Sequence, residues 1–120
     1  MLNISKEQFD VIEFSYKHQR KRRLATLFKE KYSALAAEIQ EDQLIQKIDF
    51  VIDESKEIDI TGDNEIVECV AIAYLLSKNT FSQDTLALIA RTLSNRTWNA
   101  RTRLDFIWKI CSTRASRTRE

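Results

Sequence analysis

Proline is absent from this chain, and it holds one glycine, one histidine and two cysteines. A single glycine excludes a glycine-rich loop that cradles phosphate, and no serine or cysteine stands in a context that marks a nucleophile. The lone histidine, His18, has no second histidine or cysteine to complete the three or four ligands that zinc needs, so it is read as an exposed helix residue. Cys69 and Cys111 match neither a zinc spacing nor a redox pair and lie in apolar helical surroundings. Both are read as core thiols of a reducing compartment. No run approaches the roughly 18 consecutive apolar residues of a membrane span, and the opening MLNISKEQF lacks the charged and then apolar regions of a signal peptide. These absences point to a cytoplasmic protein that is not an enzyme, uses no cofactor or metal and has no membrane contact.

What the chain does hold is helical signal. Its 120 residues are 43% hydrophobic and 31% charged, which suits one soluble domain able to bury a core without staples. Ser5 with Gln8 reads as a capping box and Ile4 with Phe9 as a hydrophobic staple, so a first helix is expected from Lys6 to about Tyr32, continuing with a kink toward Ile39. A second is expected from Glu41 to before Ile58, with Leu44, Ile48, Val51 and Ile52 inward. Thr61, Gly62 and Asp63 are read as turn and cap, with the only glycine at a positive φ. The third helix, from about Asn64 to Ser77, is apolar on almost every side and must be central. A fourth, capped by Ser82 or Thr80, turns Leu86, Ile89, Ala90 and Leu93 inward and ends near Asn95. A fifth, from about Trp98 to Cys111, buries Leu104, Ile107 and Trp108, and residues 113–120 form a basic flexible tail. With no strand alternation and no repeat, the fold class is all-α, a bundle of about five helices in one domain over 1–112.

The net charge of +1 hides a segregation into thirds. Met1 to Lys31 carries +4, Glu38 to Glu68 carries −9, and Lys78 to Glu120 carries +6. Either the acidic middle packs between the basic flanks and the charges match internally, or the surface has an acidic and a basic face. Arg20 and Arg23 fall on the apolar stripe of the first helix, where a buried seam obliges them to find carboxylates, and the acidic middle is the expected donor. Asp49 and Asp53 lie one turn apart, but acidic neighbours on a solvated helix face do not by themselves make an acid–base pair. The run KHQRKRR, Lys17 to Arg23, and the arginines near the C-terminus could contact phosphates. The eleven acids of the middle third and the lack of a basic recognition helix oppose nucleic acid as a partner.

The order of features carries a resemblance. An S-x-E-Q-F start, the segments EDQLIQKIDFVIDESKEIDIT and EIVECVAIAYLLSKNTF, and the later TLSNRTWNARTRLDFI resemble a family of small helical accessory proteins encoded beside type VI secretion genes for spike, PAAR tip and toxic effector proteins. Where the family carries tyrosine and glycine before the isoleucine of its turn, this chain has Ile58 and Asp59. The resemblance implies a bacterial adaptor or co-chaperone that loads an effector onto the spike. Trp98, Arg101 and Arg103 are then the candidate contact residues, since tryptophan and arginine dominate binding hot spots, although Trp98 suits the core equally. The alternative is an immunity protein that blocks a toxin with Asp49, Asp53 and Glu54 of its acidic segment. The sequence leaves open whether the chain also pairs with itself as a homodimer.

Overall fold

In the computed structural model the described residues are 6–115, with side chains described from 16 to 113. Among them there are six helices and no strand: α1 (Lys6–Lys31), α2 (Ser33–Ala36), α3 (Glu41–Lys56), α4 (Asp63–Lys78), α5 (Gln83–Leu93) and α6 (Ala100–Ala115). The protein is an all-α bundle. The kink expected after Tyr32 is the break between α1 and the single turn of α2. The capping box at Ser5, the staple at Ile4 and the tail beyond Ala115 lie outside the described residues.

Helix α4 is the shared wall of two layers. On one side it packs against α3 and α1, around Leu24, Phe28, Leu44, Ile48, Val67 and Val70, all at or below 1% exposure. On the other it packs against α6, which in turn pairs with α5, around Ile72, Ile89, Leu104, Ile107 and Cys111. The sequence places apolar residues around most of α4 because it must face both cores, and no membrane-length apolar helix is found among the described residues.

Caps account for the helix starts. Ser82 Oγ accepts the Thr85 amide at 3.1 Å, so Ser82 and not Thr80 caps α5. Asn99 Oδ1 accepts the Thr102 amide at 2.8 Å, which moves the start of α6 two residues beyond the expected Trp98. The inward stripe of α5 also differs from expectation. Ala90 is exposed, and Thr85, Ile89 and Thr92 are buried. The two threonines tolerate this because Thr85 meets the Ser82 hydroxyl and Thr92 Oγ1 donates to the Leu88 carbonyl at 2.8 Å.

The α3–α4 turn departs furthest from the sequence reading. Gly62 has φ −71° and is the N-cap of α4, a conformation open to any residue. The positive φ, 61°, belongs to Asp59. The Ile60 amide donates to Ser55 O at 2.9 Å and the Asp59 amide to Lys56 O at 3.3 Å, the bond pair of a Schellman ending with Asp59 in the left-handed position that glycine usually fills.

Candidate functional site

Three arginines from other elements grip that turn. Arg20 Nη2 donates to Thr61 O at 2.9 Å, Arg103 Nη1 to Ile58 O at 2.9 Å, and Arg96 Nη2 to Glu57 O. Tertiary arginine–carbonyl bonds thus hold a connection that has no proline and only one glycine. Arg103 was expected on a contact surface, and the structure corrects this: it is 2% exposed and also donates to Leu93 O at 2.6 Å. Its charge lies at the C-terminal ends of α3 and α5, where helix dipoles favour a cation.

Arg20 and Arg23 find their carboxylate in the acidic middle, as expected, and it is Asp63, at 3.2 and 3.3 Å. The seam is less buried than its helical register suggests. The Arg23 side chain keeps 58% of its exposure and Arg20 24%, because the buried part of the described α1 side chains begins only at Leu24.

The charge segregation resolves largely into internal matching. Glu38 meets Lys78, Glu41 meets Lys29, Asp49 meets Lys21, Asp59 meets Arg96, Asp63 meets Arg20 and Arg23, and Glu68 meets Arg101. Each pair joins the acidic middle to a basic flank. The run Lys17 to Arg23 is therefore no free basic patch: Arg20, Lys21 and Arg23 are already bound to acids of the same chain.

Arg101, another expected contact residue, has both edges of its guanidinium filled. Nη1 and Nη2 hold the two oxygens of Glu68 at 2.5 and 2.7 Å, and Nε holds Asp105 at 3.0 Å. Trp108 Nε1 donates to the same Glu68 carboxylate at 3.0 Å, with Tyr32 stacked on its ring. Burial pushes the Glu68 carboxyl up, but the hydrogen bonds from Arg101 and Trp108 and the charge of Arg101 outweigh it and hold the group below its ordinary value. Burial, followed by the nearby Glu68 charge, raises the Tyr32 phenol.

Among the described residues, aromatic area reaches solvent at Tyr16 of α1, 63% exposed, and on two further surfaces. At the α5–α6 corner Trp98, 39% exposed, meets Phe106, also 39% exposed, edge to face with centroids 5.6 Å apart. The helical period sets Phe106 about 140° from Arg101 around α6, so the structure does not bring Trp98 and Arg101 into one cluster. The other surface is the outer face of α3. Phe50, 59% exposed, stands on the same helix as Asp49, Asp53 and Glu54, all exposed. Sequence reasoning missed both Phe50 and Phe106, because each falls in an apolar stretch and only the packing decides which side is covered. A groove of about 420 Å³ between α1 and α3 adjoins this face, lined by Tyr16, Arg20, Lys21, Asp49, Asp53 and Ile52 among others. Among the described residues no group of His, Cys, Asp and Glu could hold a metal ion. No family model, curated protein or solved structure matches the chain.

Proposed function

We propose that the chain is a protein-binding adaptor that joins two partners, in the role the resemblance implies: an accessory that loads an effector onto a type VI secretion spike. The observation that carries this reading is the pair of separate aromatic surfaces, Phe50 on α3 and Trp98 with Phe106 at the α5–α6 corner. They stand on elements of different layers on either side of α4, and α3 and α6 are not a packed pair. An adaptor needs two such surfaces; a single-target blocker needs one. Tryptophan concentrates binding energy, and phenylalanine is enriched at interfaces relative to the rest of a protein surface. Further support comes from Asp59. The position where the resembled family carries glycine is the one whose backbone is left-handed here, which gives the family's glycine a physical reason in this turn. The reading assigns no catalytic residue.

The test is capture of the tagged protein from its native cells, washed at low and high salt, for wild type, W98A/F106A and F50S. Recovery of a spike or tip component together with an effector, each lost in a different variant, is the expected result. The second reading, an immunity protein, is favoured by the carboxylates around Phe50 and predicts recovery of one toxin alone, lost in F50S and kept in W98A/F106A.

A further inference from the structure

We propose that the groove between α3 and α4 beside Phe50 receives a lysine- or arginine-rich amphipathic helix of a protein partner; the proposal deepens the adaptor reading and rests on it. The groove, about 370 Å³, is lined by Gln43, Gln46, Lys47, Phe50 and Tyr74. It runs between two packed helices, the shape into which a helix lays its apolar ridge. Phe50 provides an apolar knob there, 59% exposed.

Charge decides what kind of helix fits. Asp53, Glu54 and Glu57 stand three, four and seven positions after Phe50, which places them around it on the same side of α3. All three are exposed, and among the described residues none of them forms an ion pair. Elsewhere in the acidic middle Glu38, Glu41, Asp49, Asp59, Asp63 and Glu68 are each neutralised by a flank. Asp42 and Glu65 also lack an ion pair among the described residues, so three of the five unmatched acids of the middle stand around the aromatic knob. Lys47, the one charged side chain that lines the groove, rests its ammonium 5.9 Å from the Phe50 ring centroid and 5.8 Å from that of Tyr74, a cation seat that a lysine or arginine of the partner takes over as Lys47 swings out to solvent. The basic run of α1 in a second copy is a poorer occupant, because its Arg20, Lys21 and Arg23 are bound to acids of their own chain.

The test uses the full chain and a synthetic helix with a leucine face and a lysine face, followed by fluorescence anisotropy and by amide shifts in NMR. Binding that shifts the amides of Gln43 to Phe50 and of Tyr74, vanishes in F50S and weakens about tenfold or more in D53N/E54Q/E57Q is the expected result. The same helix with glutamate in place of lysine should not bind. Because Phe50 is mostly exposed, F50S should melt like wild type, so a loss of binding is not a loss of fold. Equal binding of the glutamate helix, shifts collected at Trp98 and Phe106, or unchanged binding by F50S would overturn the proposal. So would self-association in light scattering that F50S abolishes, which would give the groove to a second copy. If the helix does not bind while native capture still yields two partners, the inference falls and the adaptor reading stands. If it binds while capture yields one partner, the adaptor reading falls alone.

Discussion

Glu68 of α4 and Arg101 of α6 meet fork to fork, two nitrogens on two oxygens at 2.5 and 2.7 Å, with the carboxylate side chain 8% exposed and the guanidinium side chain 49%. One charge sits under the surface and the other half in water. The pair is thus a bolt through the wall between the two layers, fastened from outside, and the Trp108 indole fixes its inner end. Such geometry, with the carboxylate oxygens met by three donors, is what lets a buried charge persist.

The pH dependence follows from the direction of the Glu68 shift. Its folded-state pKa lies below the ordinary 4.5, so the stability it contributes is present above that value and is lost as pH falls through the lower folded one. E68Q should lose part of the acid-unfolding limb, seen as a flatter fall of urea midpoint on acidification. R101L should behave oppositely. It leaves the carboxylate buried with only the indole, costs about 3 kcal/mol at neutral pH, and recovers part of that as acid neutralises Glu68. Urea titrations of wild type and both variants across the carboxyl range check both signs; a R101L stability that falls with acid as steeply as wild type would refute the argument.

Arg103 makes a different prediction, because its partners are carbonyls and not a carboxylate. R103A leaves Ile58 O and Leu93 O without their donor in a partly buried site, and at roughly 1 kcal/mol for each, the low end for an unmet group, it should lower stability by about 2 kcal/mol. R103K keeps the charge near the two helix ends but cannot place the same planar donors, and should fall between wild type and alanine. Chemical denaturation of the three proteins measures the order.

The helices were legible because their signals are local. The apolar period of α3, the all-round apolarity of α4 and the serine at Ser82 each sit inside the element they define. The expected carboxylate for Arg20 was legible as a class, since an acid-rich middle between basic flanks leaves few other outcomes, but its identity as Asp63 depends on where α4 begins. The contact surface was the least legible. Arg101 and Arg103 look alike in sequence, yet one is clamped by two acids and the other is buried on carbonyls. Phe50 and Phe106 look like core and are not, because coverage of a helix flank is decided by its neighbours and not by its own period.

The two cysteines give a prediction about accessibility. Burial raises the Cys69 thiol to about 11 in spite of a hydrogen bond with Ser55, and burial also raises Cys111. Few thiolates are then present near neutral pH, and both side chains pack against the α4–α6 core. Labelling with an aromatic disulfide reagent at mildly alkaline pH should be slow in the native protein and rapid in denaturant. Fast native labelling of Cys69 would contradict the buried-thiol description.

The α3–α4 turn offers an exchange that tests its backbone directly. Asp59 occupies a left-handed conformation that an L-residue enters at a penalty of about 1 kcal/mol, and its ion pair with Arg96 is long, 3.8 Å, and exposed on both sides. D59G should therefore stabilise the fold by about 0.5 kcal/mol, the relief of strain being partly offset by the freedom glycine gains in the unfolded chain. Gly62, three residues on, has the extended backbone of an N-cap but no side chain to use there. G62S places a hydroxyl where it can accept an amide of the first turn of α4, a gain of a few tenths of a kcal/mol, and any crowding falls on the mobile end of Glu65. The double variant D59G/G62S, which moves the only glycine to the position that needs it, should melt above wild type. A lower melting temperature for D59G alone would mean that the Asp59 carboxylate does more for the turn than its backbone takes away.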